Sequence, residues 1–375
     1  MRVFGKIVVV GMRRWKAYNL GPILAAHCAE LAFCRTTHGA ARRALGRDDA
    51  IAVWGAVPPP GIEALVAQTG AELLRIEDGF VRSVGLGSDL IAPQSLVIDD
   101  TGIYFDATRP SRLETILQAV DFDAALLARA KAVRRTIVDH GLTKYNLEER
   151  QAPRWQSGGR RVVLVPGQVE SDASIALGGT SVRSNLGLLE QVRAVCPDAC
   201  IVYKPHPDVM SGNRRGRRAE HKAMDIADIV ETRCSIVSCI DASDEVHTIT
   251  SLAGFDALLR GKPVTTWGMP FYAGWGVTTD RAPLPAAASR RTQSLSVDQI
   301  VAGALLRYPL YWDEALARPT NCESVLSNIA QQRNLLERGA KLDELRKGGM
   351  ARLSRKLRTL GRAWLGTRSR DRWWN

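Results

Sequence analysis

The stretch RVVLVPGQVESDASIALGGTSVRSNLGLLEQVRAVCPDACIVYKPHPD, residues 161–208, reads as a strand, a helix and a second strand. Residues 161–168 open with a short valine-rich run, 184–197 carry apolar residues at helical spacing, and 200–208 begin with another apolar run before turning polar. Two strands joined by a helix form the unit from which parallel sheets are built. This stretch therefore predicts an α/β sheet with helices packed on it.

The same alternation fills the first half of the chain. Apolar runs rich in valine, isoleucine and leucine predict strands at 6–11, 50–55, 71–79 and 95–107, the last as two short strands joined at a turn signal. Helices are predicted at 21–34, 61–70 and 111–150, followed by a polar linker at 151–161. Two alternating halves separated by a linker indicate two α/β domains with a cleft between them.

In such sheets, ligands bind beyond the carboxyl ends of the strands. We therefore predict an N-terminal Rossmann-like domain over 1–155, a second Rossmann-like domain over 156–320, and a C-terminal helical segment over 321–375. Most of the unusual polar residues fall just after a predicted strand, which is the edge where a site is expected.

The composition is that of a globular protein. The 375 residues are 45% hydrophobic and 24% charged, which is enough for two ordinary cores. No apolar run reaches the 18 residues of a membrane span, and the N-terminal MRVFGKIVVVGMRRW has no signal-peptide cleavage site. The seven cysteines are scattered without zinc-knuckle spacing, so we expect reduced, buried thiols.

Much of the net charge of +12 is carried by the C-terminal tail. Residues 341–375 hold eleven Lys/Arg against three Asp/Glu. Leu353, Leu357, Leu360 and Trp364 fall on one helical face, a pattern typical of a helix that lies on an anionic membrane surface. It also fits a helix packed on the body with a solvated basic face, or a nucleic-acid arm, although no nucleic-acid-binding motif accompanies the charge.

The stretch RIEDGFVRSVGLGSDL, residues 75–90, places two adjacent carboxylates at the end of a predicted strand. Repulsion between Glu77 and Asp78 can raise the pKa of one of them, which suits a general base. A loop whose acids are simply paired with Arg75 or Arg82 fits the stretch equally well.

The stretch VPGQVESDASIALGGT, residues 165–180, breaks a strand into a loop that carries Gln168, Glu170 and Asp172. A carboxylate at the carboxyl end of a strand can serve as a nucleophile or stabilise an oxocarbenium-like centre. The alternative is structural, because Asp172 or Ser171 is also suited to cap the helix that follows.

The motif YKPHPD within the opening stretch confines a histidine between two prolines. Pro207 suits the first turn of a helix, whose N-terminus would direct backbone N–H groups toward an anion. His206 could then bond a phosphate oxygen, and Lys204 would add positive charge. A purely structural hydrogen-bonding role for His206 is the alternative.

The stretch DEVHTITSLAGFDALL, residues 244–259, places small hydroxyl residues at a predicted helix start. Thr250, Ser251 and Gly254 could form a seat for a phosphate or ribose. Because the only Asp-x-Asp, Asp121 and Asp123, falls in a predicted helix, no metal-diphosphate site is expected.

Five ordered motifs together resemble the catalytic modules of the KpsC/LipA family of capsular polysaccharide β-Kdo glycosyltransferases: RIEDGFVRSVGLGSDL, VPGQVESDAS, YKPHPDV, EVHTITSLAGFDALL and PFYAGWGVTTD. The resemblance covers roughly residues 50–310 and is closest to the C-terminal module of two-module members. It implies a GT-B-like fold, CMP-Kdo as the donor, no metal cofactor, and retention of configuration by double displacement. This chain has one copy of each motif, so it is expected to add a single kind of linkage, to need a partner enzyme, or to be a lone module.

Carried onto this chain, the resemblance makes Asp172 the catalytic carboxylate and Glu77 or Asp78 its acid/base partner. It makes His206 with Pro207 the site of the CMP phosphate. The remaining donor-binding residues that it implies are Gln168, Lys204, Thr250, Ser251 and Gly254.

The implied acceptor is a lipid-linked glycan, of phosphatidylglycerol type or Kdo-terminated. We therefore expect a cytoplasmic enzyme held peripherally on the inner leaflet of the inner membrane by its basic tail, with capsule assembly or export proteins as potential partners and no nucleic acid. Two rival hypotheses are a transferase for another CMP-activated acidic sugar, such as a sialic acid, and a non-catalytic capsule assembly or export factor.

Overall fold

The described residues form two compact units, each with its own sheet. The computed structural model describes residues 2–119, 121–148, 150–206, 222–339, 342 and 349–368, with side chains in the last segment described for 353–365. The first unit takes the described residues within Met1–Ile103, Lys144–Leu147 and Tyr308–Asn375, and the second those within Tyr104–Thr143 and Glu148–Arg307.

The first unit is built on a seven-stranded sheet. Its strands are β1 Phe4–Val10, β2 Cys28–Cys34, β3 Ala50–Trp54, β4 Glu72–Asp78, β5 Ser95–Asp99, β12 Leu310–Asp313 and β13 Arg318–Thr320. Their order is β13-β12-β5-β4-β3-β1-β2. Strands β1 to β4 are parallel to one another. At one edge, the pairs β4–β5, β5–β12 and β12–β13 are each antiparallel. Its helices are α1 Arg14–Ala25, α2 Thr37–Ala41, α3 Ile62–Thr69, α12 Cys322–Arg338 and α13 Gly349–Arg368.

The second unit is built on a six-stranded parallel sheet. Its strands are β6 Val162–Pro166, β7 Cys200–Lys204, β8 Ile229–Val230, β9 Glu245–Thr248, β10 Val264–Thr266 and β11 Thr279–Asp280, in the order β11-β10-β9-β6-β7-β8. Its helices are α4 Arg112–Gln118, α5 Ala124–Asp139, α6 Ala173–Gly178, α7 Asn185–Val195, α8 Ile236–Asp241, α9 Leu252–Leu259, α10 Pro285–Ala288 and α11 Val297–Val301, the last continued by a π-helix over Ala302–Arg307.

The predicted α/β class is confirmed, and the opening stretch folds as its pattern indicates. All five residues of β6 are buried, as expected for a strand covered on both faces. The hydroxyl of Ser184 accepts a hydrogen bond from the backbone N–H of Gly187 and so caps α7. The apolar face of α7 then packs in one cluster with the inner residues of β6 and β7.

Three predicted elements are wrong in part. The predicted helix at 21–34 ends at Ala25, and Cys28–Cys34 instead pairs with β1, because strand pairing overrides the helix-favouring Ala, Leu and Glu content. Only the first half of 95–107 is a strand. The predicted helix at 111–150 is two helices, with Asp123 capping the second and no helix among the described residues of 140–150.

The units also divide the chain differently from the predicted domains. The described residues of 104–143, which we assigned to the first domain, belong to the second unit, and the described residues from Tyr308 onward belong to the first. Strand β12 explains the return, because it pairs with β5 of the first sheet. Among the described helices, none has both the length and the apolar content of a membrane span.

Candidate active site

The first candidate group is the carboxylate pair at the end of β4. Asp78 is the last residue of that strand, and its Oδ2 lies 2.8 Å from Nε of the buried Arg82. Glu77 Oε1 accepts a hydrogen bond from the Asp78 backbone N–H at 3.0 Å. The Nε of Arg75 donates a hydrogen bond to the carbonyl oxygen of Ala56. The pairing with Arg82 that we considered from the sequence therefore applies to Asp78.

The pKa values of the two carboxyl groups shift in opposite directions. Burial and the neighbouring Asp78 carboxylate raise the pKa of Glu77 to about 7. Burial alone would also raise the pKa of Asp78, but the positive charges of Arg82, Lys144 and Lys16 outweigh it and lower that pKa below its ordinary value. Glu77 is thus suited to exchange a proton near neutral pH, whereas Asp78 stays ionised.

A close backbone approach holds this pair in place. A Cβ on Gly79 would lie 2.1 Å from the Oγ of Ser95, so only glycine fits between β4 and β5 at this point. The Gly79 N–H donates to the Ser95 carbonyl at 3.1 Å, and the Ser95 hydroxyl donates to the Val81 carbonyl. The chain that follows Glu77 therefore turns in a fixed direction.

Lys16 is a member of this group that our sequence reasoning missed. Its Nζ lies 3.1 Å from the centroid of the Trp54 ring at the end of β3. Burial lowers the pKa of Lys16 to about 8, although the charges of Glu77 and Asp78 oppose the shift. A signal was present in the sequence, because the basic run RRWK, residues 13–16, lies just beyond the end of β1.

The second candidate group lies at the carboxyl ends of β9, β6 and β7, three adjacent parallel strands at the centre of the second sheet. Because the strands are parallel, their carboxyl ends meet at one edge. Gln168 follows β6, Thr250 follows β9, and His206 follows β7. The expectation that unusual polar residues collect at strand ends is confirmed for this sheet.

Gln168 and Thr250 each donate a hydrogen bond to the other. The Gln168 Nε2 donates to the Thr250 Oγ1 at 3.0 Å, and the Thr250 backbone N–H donates to the Gln168 Oε1 at 3.0 Å. The Thr250 hydroxyl also lies 3.3 Å from the Ser174 hydroxyl. Asn185, which the sequence reasoning missed, accepts from the Gln168 backbone N–H and donates to its carbonyl. The loop after β6 is therefore held from two sides.

Asp172 caps a helix and is exposed. Its Oδ1 accepts a hydrogen bond from the Ser174 backbone N–H at 2.9 Å, which makes it the N-cap of α6. The capping alternative that we weighed for this residue is therefore confirmed. Capping uses one carboxylate oxygen and fixes the side chain, so the other oxygen remains available for chemistry at the same edge of the sheet.

The Lys204 side chain is buried and forms an ion pair within the second unit. Its buried Nζ donates to the Cys234 carbonyl at 2.7 Å and lies 3.1 Å from Oε1 of Glu148. The other Glu148 oxygen accepts from the backbone N–H of Ile236, the first residue of α8. Lys204 is thus placed to support the strand end, with its charge already paired. His206 is half-buried beside it, and Pro207 with the helix predicted there lies outside the described residues.

The remaining residues predicted to bind the sugar donor lie at the start of α9. Ser251 is its N-cap, accepting from the Ala253 backbone N–H at 3.2 Å. A Cβ on Gly254 would lie 2.2 Å from the hydroxyl oxygen of Tyr272, and that hydroxyl donates to the Ser251 carbonyl. Gly254 therefore makes room for Tyr272, which rigidifies the helix start. Among the described residues, no three His, Cys, Asp or Glu side chains are grouped as metal ligands.

The ion pair of Lys204 yields a stability prediction. Glu148→Ala should lower the free energy of unfolding by about 3 kcal/mol, because it leaves a buried ammonium unpaired. Urea unfolding followed by tryptophan fluorescence measures this. Arg161→Gln, which breaks a more exposed ion pair with Glu245 in the same unit, should cost less than about 1 kcal/mol.

A second substitution tests the cause of that loss. Adding Lys204→Met to Glu148→Ala should recover part of the stability, since no charge then remains buried. If the double variant were less stable than Glu148→Ala alone, the unpaired charge would not be the reason for the loss.

Comparison with known proteins identifies relatives over most of the chain. A family model described as capsule polysaccharide biosynthesis protein matches residues 49–311. The capsule polysaccharide modification protein LipA of Neisseria meningitidis serogroup B is 43% identical over 336 residues, which is 88% of this chain and 46% of LipA. The lipopolysaccharide-processing protein LpsZ of Rhizobium meliloti is 39% identical over 76% of this chain and 64% of its own length. The chain thus spans about half the length of LipA.

Two solved structures are similar over most of the chain. A KpsC chain of Thermosulfurimonas dismutans described as a beta Kdo 2,7 transferase is 34% identical with a TM-score of 0.70, covering 88% of this chain and 99% of that one. A KpsC chain of the same organism described as a beta Kdo 2,4 transferase is 29% identical with a TM-score of 0.73, covering 86% and 97%.

Proposed function

The chain belongs to the family of capsule polysaccharide biosynthesis proteins, together with KpsC and LipA, and from that premise we propose that it is a retaining β-Kdo glycosyltransferase. The observation that carries the proposal is its similarity, at 34% identity, to nearly the whole of a KpsC chain described as a Kdo transferase. We propose CMP-Kdo as the donor and a lipid-linked glycan of capsule linker synthesis as the acceptor, either of phosphatidylglycerol type or Kdo-terminated.

The second unit supplies the proposed donor site. The CMP phosphate is held at the strand ends by His206 and the start of the segment at Pro207, with the hydroxyls of Thr250 and Ser251 contributing hydrogen bonds. The mutual hydrogen bonds of Gln168 and Thr250 support this role, because they keep the hydroxyl side chain in place before the donor arrives. Lys204 acts here by holding the end of β7 through Glu148.

The proposed reaction proceeds through two displacements. The free oxygen of the Asp172 carboxylate attacks C2 of Kdo, and the bond from C2 to the phosphate oxygen breaks, with its electron pair leaving on CMP. The acceptor hydroxyl then attacks C2, Glu77 takes the hydroxyl proton, and the bond to Asp172 breaks and restores the carboxylate. Two inversions at C2 give overall retention. Asp78, paired with Arg82, keeps its negative charge next to Glu77.

A transfer assay tests the proposal. The purified full chain is incubated with CMP-Kdo generated in situ and a synthetic lipid-like glycoside that ends in Kdo, and products are identified by mass. We expect one added Kdo residue per acceptor, and linkage analysis then distinguishes the 2,4 from the 2,7 type. A product formed only with another CMP-activated acidic sugar would change the donor, and no product with any CMP-sugar would favour a non-catalytic assembly or export factor.

The proposed acceptor implies where in the cell the protein works. A lipid-linked acceptor of cytoplasmic synthesis lies in the inner leaflet of the inner membrane, so we propose that the chain works there as a peripheral protein. The basic C-terminal segment would bring it to that anionic surface. Capsule assembly or export proteins are proposed as further partners.

A further inference from the structure

The last described helix, α13, packs on the first unit in an unusual orientation. It spans Gly349–Arg368 and contacts α1. Its twenty residues include six Lys/Arg and no Asp/Glu. Most amphipathic helices on a globular protein turn their large apolar side chains toward the body. The burial pattern of α13 shows a different arrangement.

The large apolar residues of α13 point away from the protein. Leu353, Leu357, Leu360 and Trp364 are 57%, 58%, 44% and 47% exposed. Their spacing of four, three and four residues puts them on one face, which we call the outer stripe, about 16 Å long at the usual helical rise. Leucine and tryptophan in such a contiguous exposed row mark an interaction surface.

The inner side of α13 is held by small and charged residues instead. Ala363 is buried, and Lys356 Nζ lies 2.9 Å from Oδ1 of the buried Asp89. At 100° per residue, Lys356 and Ala363 lie about a quarter turn from the outer stripe. The fold therefore fixes the rotation of the helix with its stripe outward, and the helix cannot roll inward without breaking this ion pair.

Charge identifies the partner that fits the stripe. Arg358 and Arg362 are exposed on the polar side of the helix, about 130° and about 170° around its axis from the stripe. Two copies of this helix would bring twelve basic residues together, and the helix itself holds no acidic residue, which disfavours pairing with itself. A row of leucines and a tryptophan on one face, with arginines on the opposite face, is the pattern of a helix that lies in the interface of an anionic bilayer.

We propose that the outer stripe of α13 is a docking surface for anionic lipid bilayers, with the helix axis parallel to the membrane. The leucines and Trp364 enter the boundary between headgroups and acyl chains, and Arg358 and Arg362 on the polar side of the helix add electrostatic attraction to the anionic headgroups. This deepens the proposed function, because it names the face that would bring the enzyme to a lipid-linked acceptor. Binding to vesicles requires no sugar, so the docking can be measured separately.

Vesicle flotation tests the proposal with the full chain. Wild-type protein should bind vesicles of 70% phosphatidylcholine and 30% phosphatidylglycerol at low salt far better than pure phosphatidylcholine vesicles. Leu357→Ser with Leu360→Ser should lower the partition coefficient by on the order of tenfold. Arg358→Gln with Arg362→Gln should lower it by about tenfold on anionic vesicles and change it little on neutral ones.

A matched control removes exposed leucines elsewhere. Leu316→Ser with Leu335→Ser deletes two exposed leucines from the same unit, outside α13, and should bind as the wild type does. Urea unfolding of each variant shows that it is folded. Equal loss in the control and the stripe variant would overturn the proposal, as would wild-type protein that ignores anionic vesicles.

Two further results separate the possible failures. If sedimentation showed a dimer that Leu357→Ser with Leu360→Ser dissolves, the stripe would be a self-association surface and the docking proposal would be wrong. Transfer by the wild type to a water-soluble acceptor is measured in parallel. Transfer without vesicle binding would reject only the docking surface, and vesicle binding without transfer would reject only the proposed enzyme.

Discussion

Asp172→Asn is expected to lower the transfer rate by about 10³-fold or more while leaving the protein folded. The loss follows from the proposed role, because an amide cannot attack the anomeric carbon as a carboxylate does. The fold should survive because asparagine is as good an N-cap as aspartate, so its Oδ1 can still accept from the Ser174 backbone N–H. Initial rates with CMP-Kdo and the Kdo-terminated acceptor measure the effect.

Two variants separate chemistry from capping at this position. Asp172→Ala should be equally inactive but also less stable by about 1 kcal/mol, since it removes the cap of α6. Glu170→Gln alters a neighbouring carboxyl, whose Oε1 accepts from the Asn185 backbone N–H, and should change the rate only a few-fold. Retention of more than a tenth of wild-type activity in Asp172→Asn would mean that another group attacks the sugar.

Mass spectrometry of the protein adds a readout independent of turnover. Without acceptor, the wild type should gain the mass of one Kdo residue on the peptide that contains Asp172, because the first displacement leaves the sugar bound there. Asp172→Asn should gain none. An adduct that persists in that variant would assign the nucleophile to a different side chain.

Glu77→Gln is expected to lower the transfer rate by about 10²-fold to 10⁴-fold and to abolish the pH dependence near neutrality. A general base acts only when deprotonated, and burial together with Asp78 raises the pKa of Glu77 to about 7. The wild-type kcat/KM should therefore fall as the pH drops through about 7 and level off above it. Rates between pH 5.5 and 8.5 measure the profile.

Asp78→Asn serves as the comparison for this profile. It removes the negative charge that raises the pKa of Glu77, so the inflection should move to lower pH. It also leaves the buried Arg82 without its ion-pair partner and should lower the free energy of unfolding. If the inflection near pH 7 survived in Glu77→Gln, the titrating base would be another residue, and Lys16 would be the first to test because burial lowers its pKa to about 8.

Local patterns predicted the fold class and the strand ends at which we propose the donor site. The run of buried residues in β6, the capped helix α7 and the polar residues after the strands were all readable, because strand and helix periodicities arise from neighbours in the chain. The helix predicted over Cys28–Cys34 was wrong because those residues are made a strand by pairing with β1, which no local pattern encodes.

Contacts between distant residues were beyond the sequence. Gln168 and Thr250 are 82 residues apart, and Glu148 and Lys204 are 56 apart, so neither pair could be assigned from spacing. The sequence did not decide between Glu77 and Asp78; in the structure, burial and Asp78 raise the pKa of Glu77, whereas Arg82, Lys144 and Lys16 lower that of Asp78. Pairs such as Glu148 and Lys204 meet because the path of the whole chain brings them together, which residue spacing does not determine.

The C-terminal helix shows the same division. The sequence by itself determined that Leu353, Leu357, Leu360 and Trp364 share a face, since helical periodicity follows from their spacing. Whether that face packs inward or points outward was decided only by the tertiary structure, in which Lys356 and Ala363 make the contacts with the body. The physical reason is that periodicity defines the faces of a helix, whereas the surface it meets selects which face is buried.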